Sequence, residues 1–248
     1  MRVVSLAPSC TEILFALGLG DKIVGVTRFC DYPNEAKKIH KVGGWLDNDF
    51  EDIVKLRPDL VFTSTFLQDK TVSKLKKLGI KVVHSDPKTL EDVFDSIRKI
   101  GEAVNKMKEA EHIVSVMKIK IKKVAEPYYL DKKPKIYIEE WHKPPTASGN
   151  WVPDMVKLAG GKSFARAGKI SAKVDLKKLK KFNPDVVIIS WCAFGLRARK
   201  EDLTKREGWN SLKAVKEGKI YVVDDNLLNR PGPRLAEGVK VLAEIMHK

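Results

Sequence analysis

Residues 89–126, TLEDVFDSIRKIGEAVNKMKEAEHIVSVMKIKIKKVAE, read as helix throughout, while the chain on either side alternates between strands and helices. Leu90, Val93, Phe94, Ile97, Ile100 and Val104 recur at steps of three and four, which lays them along one helical face. Ala110, Ile113, Val114, Met117, Ile121 and Val124 continue that stripe, and Lys118, Lys120, Lys122 and Lys123 take the solvated side. A break is expected near Asn105. The stretch therefore reads as a connector over 89–127, between an N-terminal α/β lobe at 1–88 and a C-terminal α/β lobe at 128–248.

A chain of 248 residues that is 43% hydrophobic has enough apolar material for one large core or two smaller ones. No run approaches the length of a membrane span, and the apolar start is cut short by Pro8 and followed soon by Glu12, so no secretory leader is expected. A soluble protein, cytoplasmic as the sequence is written but with its compartment left open, is therefore expected, and separately a monomer. Cys10, Cys30 and Cys192 are odd in number and lack CxxC spacing, so neither a disulfide framework nor a structural metal is signalled. The net charge of +15 invites a nucleic-acid reading. Yet Lys177, Lys178, Lys180 and Lys181 interleave with apolar positions as on a solvated helix face, so no nucleic-acid partner is expected.

Taken in order, a short apolar strand at 2–7 precedes Ser9 and Glu12, which read as a capping box ahead of Ile13, Leu14 and Leu17. A strand at 22–26 leads into a loop at 27–48 that carries Phe29, Asp31, Tyr32, Gly43, Gly44 and Trp45. Loops of that length inside a compact lobe are usually functional. Helix 50–56, strand 59–63, helix 71–78 and strand 81–84 then give a βαβα alternation, hence a mostly parallel, doubly wound sheet.

After the connector the pattern restarts with a strand at 135–139, a loop carrying Trp141, Pro144, Pro145 and Trp151, and a helix ending at Gly160 and Gly161. Two passages repeat across the lobes. Residues 52–62 are echoed by 179–189, each a helix turning through Pro-Asp into a buried strand, and 78–86 are echoed by 217–224 around a glycine. Two doubly wound α/β lobes of like design are expected, with ligands taken by the loops after Leu6, Val26, Phe62, Ile138 and Ile189, at the carboxyl ends of the strands.

Those loops bring Phe29, Trp45, Phe66, Trp141, Trp151, Trp191 and Phe194, the aromatic walls that suit a large, flat, partly apolar ligand. Trp209, in helical register with Leu212 and Val215, reads as core. Trp45 and Trp151 stand beside Gly43, Gly44, Gly149 and Asn150, where a ring is poorly placed for a core and better placed for a ligand.

Nucleophilic catalysis has little support, since there is no GxSxG elbow and no P-loop, and Ser148 has no evident base. A metal site would need His142, Glu140 and Cys192 to assemble from separate loops, and none is expected. In Asn229-Arg-Pro-Gly-Pro-Arg234 the proline at 233 suits the first turn of a last helix at 235–246. Its amides and Arg230 would then present positive charge, although a plain helix start with Arg234 at the surface fits equally.

Val4-Ser-Leu-Ala-Pro-Ser-Cys-Thr-Glu12, Cys30-Asp-Tyr-Pro33, Leu56-Arg-Pro-Asp-Leu-Val61, Gly149-Asn-Trp-Val-Pro-Asp-Met155, Leu158-Ala-Gly-Gly161 and the 229–234 stretch occur in this order over nearly the whole chain. Together they resemble the cobalamin-binding, helical-backbone class (class III) of ABC-importer substrate-binding proteins. The resemblance implies two α/β lobes joined by a backbone helix, a corrinoid or metal chelate as ligand, and no catalytic cofactor. It places ligand contacts at Ser9, Phe29, Trp45, Thr146 and Arg230; the loop aromatics read above add Phe66, with Trp151 and Trp191 as substitutes for a second wall. Phe29 stands where such binders can carry tyrosine, and Ser171 where they can carry tryptophan. Family members dock on an ABC permease through one carboxylate per lobe. Glu51 matches the first position, whereas the second reads Lys177, with only Asp175 near it. A non-enzymatic corrinoid-binding protein is the expectation, with a ferric-siderophore or metal-chelate receptor as the alternative and a basic nucleic-acid-associated protein as the reading from another class.

Overall fold

The computed structural model describes residues 1–126 and 133–247. The chain begins β1 (Val3–Ser5), α1 (Pro8–Ala16), β2 (Ile23–Val26), α2 (Phe50–Lys55), β3 (Leu60–Ser64), α3 (Asp69–Lys77) and β4 (Val82–Ser85). The strands form one parallel sheet in the order β2-β1-β3-β4. Val3, Val4, Val61 and Phe62 are wholly buried, as expected of strands covered on both faces, and this is why they read as unbroken apolar runs. Leu6, Val42, Ile53 and Leu75 close the core around them.

The capping box expected at Ser9 and Glu12 does not form. Helix α1 starts earlier, with Pro8 in its first turn and Ala7 as an N-cap that offers no side chain, so Ser9 and Glu12 lie inside the helix and are buried. Proline lacks the amide that the first turn leaves unbonded anyway, and its fixed φ suits that place.

The connector is two helices, α4 (Leu90–Ala103) and α5 (Met107–Ala125). The break falls at Asn105, whose φ is 56°, in the left-handed region that asparagine tolerates. Lys106 N donates to Gly101 O at 2.7 Å and Asn105 N to Glu102 O at 3.2 Å, the bond pair that closes a helix on a left-handed residue. Chain contacts divide the protein into two units, Met1–Pro87 with Asp92–Ser115, and Lys88–Glu91 with Val116–Lys248. The lobe boundary expected between 127 and 128 lies outside the described residues.

The C-terminal part contains β5 (Lys135–His142), β6 (Pro145–Ala147), α6 (Val152–Leu158), β7 (Lys162–Ser163), β8 (Ala172–Lys173), α7 (Leu176–Phe182), β9 (Val186–Ile189), α8 (Glu201–Thr204), α9 (Lys213–Lys216), β10 (Ile220–Val222) and α10 (Leu235–Met246). Its sheet runs β10-β9-β5-β6-β8, with β7 beside β5. Strands β10, β9 and β5 are parallel, whereas β6 and β8 are antiparallel to their neighbours. Here the second lobe departs from a copy of the first. The strand expected at 135–139 continues to His142 and returns as a hairpin through the residues expected to be loop, because an antiparallel return needs only a tight turn. Tyr137, Val187, Ile189, Trp191, Leu203 and Trp209 share the core of this unit.

Both repeated passages are structural. Arg57 and Asn183, each just before the Pro-Asp, have φ of 46° and 47°. In the first unit Arg2 N donates to Asp59 Oδ2 at 2.6 Å and Asp59 N to Arg2 O at 2.8 Å. In the second, Lys135 N donates to Asp185 Oδ2 at 2.9 Å and Asp185 N to Lys135 O at 2.8 Å. Each aspartate thus holds the start of the neighbouring strand by a reciprocal pair of bonds. Gly79 and Gly218 end the two preceding helices at φ of 76° and 69°, a conformation open to glycine at little cost. The fold is two α/β lobes joined by a helical connector. Among the described residues no helix is long and apolar enough to cross a membrane.

Candidate functional site

In the N-terminal unit the loops after β1, β2 and β3 are tied together by Gln68, a fully buried side chain at the end of the loop after β3. Its Nε2 donates to Leu6 O at 2.9 Å and to Trp45 O at 2.8 Å, while its Oε1 accepts from Ser64 N at 2.8 Å. One neutral amide therefore satisfies three backbone groups, from the loops after β1 and β2 and from the last residue of β3. Nothing in the sequence marks Gln68 for this role, because an uncharged amide beside charged residues reads as surface. Asn48 holds the same edge by donating to Gly44 O at 2.6 Å, Thr71 donates to Asn48 at 3.1 Å, and Arg28 pairs with Asp47.

On this clamped edge Phe29 is 41% exposed and Phe66 42%, and Trp45 is half-buried with an indole Nε1 that has no hydrogen-bond partner. Such exposure is costly for large rings unless something apolar covers them. Ser9 is buried in the first turn of α1, with its hydroxyl against the Cys10 thiol. Burial, with the Cys30 thiol nearby, pushes Cys10 up to about 12, so it stays a thiol and is no nucleophile at neutral pH.

In the C-terminal unit the corresponding edge is built around adjacent carboxylates with opposite surroundings. Glu139 is fully buried and accepts from Tyr137 OH at 2.6 Å, Trp191 Nε1 at 2.9 Å and Arg206 Nη1 at 2.7 Å. Glu140 is the extra residue of a bulge, since Glu139 pairs with Ala147 and Trp141 with Thr146 across the hairpin. Burial without a cation pushes Glu140 up to about 7, against the opposing effect of a Ser171 hydrogen bond. Cys192 is also pushed up to about 12, by burial and then by Glu140 and Asp225. Asp225 accepts from Ala193 N at 3.0 Å and Gly195 N at 2.8 Å, which fixes the loop after β9, and Arg230 lies against it.

In this unit two of the expected aromatic walls are buried rings. Trp151 is 4% exposed and donates to Leu228 O at 2.8 Å, and Trp191 is 1% exposed and bonded to Glu139, so both rings serve the core. Glycine neighbours freed the backbone at Trp151, yet α6 starting directly after it turns the ring inward. Among the described residues of this unit the exposed ring is Trp141, at 40%, outside a cluster of His142, Trp191 and Phe194. Thr146 is half-buried on β6 and donates to Pro144 O at 2.9 Å. Arg230 is half-buried in the turn before α10, which begins at Leu235 as expected. Glu51 is exposed in the first turn of α2. Ser9, Phe29, Trp45 and Phe66 thus gather on one loop edge, while Trp151 and Trp191 leave the other for the core. His142 does not join Glu140 and Cys192; its ring packs on Trp191 at 5.0 Å, and among the described residues no group of three His, Cys, Asp or Glu could hold a metal ion.

A family model described as periplasmic binding protein matches residues 3–227. The chain is 35% identical over 256 residues to the uncharacterized ABC transporter substrate-binding lipoprotein YvrC of Bacillus subtilis (strain 168), covering 99% of this chain and 80% of that protein. It is 27% identical over 247 residues to a vitamin B12-binding protein of Vibrio parahaemolyticus, covering 98% of this chain and 88% of the relative. Among solved structures, a possible iron-binding (periplasmic solute-binding) protein from Staphylococcus epidermidis ATCC 12228 superimposes with a TM-score of 0.84 at 31% identity, over 100% of this chain and 98% of that one. With the two-lobed fold and its clamped loop edges, these matches establish that the chain belongs to the periplasmic binding protein family, as an ABC-transporter substrate-binding protein.

Proposed function

We propose that this substrate-binding protein carries a corrinoid. The observation that carries the reading is the N-terminal loop edge, where Phe29, Trp45 and Phe66 stand partly exposed on loops locked by Gln68. Partly exposed rings on clamped loops suit a broad macrocycle better than a small polar solute, since preformed apolar surface binds with little ordering cost. The vitamin B12-binding relatives, aligned over 98% of this chain, support the same ligand class. Calorimetric titration with cyanocobalamin and with dicyanocobinamide tests it, and the absence of heat with both at high micromolar concentration would sink it. A ferric chelate is the second reading, favoured by the 31% identical structure described as possibly iron-binding. Titration with ferric siderophores under the same conditions separates the two.

Members of this family act as binding proteins for transport, and the partner class is an ABC permease. In the proposed docking, Glu51 offers a carboxylate from the first turn of α2. The equivalent place on α7 is Lys177, and Asp175 is occupied in capping that helix, accepting from Lys177 N at 2.9 Å and Lys178 N at 3.2 Å. A permease with matching basic groups for both lobes would therefore meet repulsion at Lys177. Permease-stimulated ATP hydrolysis that rises on Lys177→Glu and falls on Glu51→Ala would support this docking. No response to either change would remove it.

A further inference from the structure

At the carboxyl edge of the C-terminal sheet, polar groups from four segments meet around Glu140. Its carboxyl is hydrogen-bonded to the Ser171 hydroxyl, which accepts from Gly149 N at 2.9 Å. Cys192 N donates to Glu140 O at 3.0 Å, and Asn229 Nδ2 donates to Ser190 O at 2.7 Å and to Cys192 Sγ at 3.4 Å. Three acceptors in this neighbourhood have no partner: Asn229 Oδ1, Ser190 Oγ and Ser148 Oγ, the serines being 0% and 2% exposed. Buried polar atoms are normally satisfied, so such a group points to a polar ligand atom. Glu140 itself is only half-buried and can be reached.

We propose that Glu140, with Ser171, Cys192 and Asn229, is a binding point for a neutral carboxamide of the ligand, the protonated carboxyl donating to the amide oxygen while Asn229 Oδ1 accepts from the amide nitrogen. This rests on the corrinoid reading and deepens it, because corrinoids carry primary carboxamides around the ring whereas porphyrins carry carboxylates. A carboxylate offers acceptors only, leaves Asn229 Oδ1 without a donor and is repelled once Glu140 ionises. The bulge makes the arrangement available by separating the roles of neighbouring residues. Glu139 turns to Arg206 and remains an ion pair at 2.7 Å, and Glu140 is re-aimed to a place without a cation. The titratable groups about Glu140 are Cys192 from the loop after β9 and Tyr137 from β5, and beyond Cys192 lies Asp225 with Arg230 against it.

With burial pushing Glu140 up to about 7, the donating form predominates below neutrality and is lost as pH rises. Affinity for dicyanocobinamide, which has no group titrating near neutrality, should fall about thirtyfold between about pH 5.5 and pH 8.5. Glu140→Gln, which keeps an N–H donor of the same shape, should bind within about threefold of the parent at the acid end and lose the pH dependence. Glu140→Leu should bind about tenfold more weakly at the acid end. Hemin in parallel should bind more weakly than dicyanocobinamide, and more so at alkaline pH. Binding of dicyanocobinamide that is flat with pH, or unaltered slope in Glu140→Gln, overturns this inference while leaving the corrinoid reading intact. Failure of every corrinoid to bind the parent protein overturns both.

Discussion

The two units close their loop edges by different physics. The N-terminal unit uses a neutral amide, Gln68, to satisfy backbone groups of two loops and the end of β3. The C-terminal unit uses a buried ion pair, Glu139 with Arg206, reinforced by Tyr137 and Trp191 and roofed by Arg206 lying 4.9 Å from the Trp209 ring centroid. Beneath both edges the Pro-Asp clamps are the same, down to the reciprocal bonds of Asp59 and Asp185. The two units therefore share a foundation and differ in how the loops at the carboxyl ends of their strands are held. A neutral hub is insensitive to pH and moderately costly to remove. A charged hub is far more costly to break halfway, because the remaining charge is stranded out of water.

The largest effect should come from splitting the ion pair. Arg206→Met should destabilise the protein by about 3–5 kcal/mol in urea unfolding, since Glu139 is fully buried and would lose its cation. Adding Glu139→Gln should recover a substantial part, and if the double variant is as unstable as the single one, the charge is not what matters at this hub. Gln68→Ala should cost about 2–3 kcal/mol by leaving Leu6 O, Trp45 O and Ser64 N without partners. It should also shift Trp45 emission to the red as the loop loosens. Equal losses from Gln68→Ala and Arg206→Met would erase the distinction between the hubs.

Asp59→Ala and Asp185→Ala test the shared foundation, each at about 1–2 kcal/mol for bonds to backbone amides. Asp185 adds a dependence on acid. Burial acts to raise Asp185, but the Lys135 amide and the Lys213 ammonium outweigh it and hold the carboxyl below its usual range. A depressed carboxylate contributes stability above its unfolded pKa of about 4, and that stability is lost as pH falls through the lower folded value. The acid-side slope should therefore shrink in Asp185→Ala. The smallest change expected is at the helix starts. Glu51 and Lys177 are each the second residue of a helix capped by an aspartate, Asp49 or Asp175. Lys177→Glu should stabilise α7 by about 0.5 kcal/mol in thermal unfolding, because a negative charge there complements the helix dipole.

Much of the scaffold was legible in the residues. The helical connector announced itself by periodicity, its break by Asn105, and the paired lobes by the recurrence of helix, Pro-Asp and buried strand. The hairpin β5–β6 was not, because Trp141 and Thr146 pair only after the chain has turned back, and prolines on both sides look like loop. Of the aromatic residues, Phe29, Trp45 and Phe66 stay partly exposed at their loop edge, whereas Trp151 and Trp191 are drawn into the core. A ring beside glycine says that the backbone is free to turn, and it does not say in which direction.

What the sequence determined by itself was local and periodic: which stretches are helix or buried strand, that the lobes repeat, and that aromatic residues collect in the loops after the strands. These follow from spacing along the chain and need no partner. What only the tertiary structure decided was which polar atoms meet. Gln68 reaches back 62 residues to Leu6 O, and Arg206 reaches 67 residues to Glu139. The different fates of Glu139 and Glu140 depend on a bulge set by the opposing strand. Burial and hydrogen bonding are properties of neighbours in space, and a carboxylate beside another in sequence acquires its chemistry only when the fold supplies a cation to one and withholds it from the other.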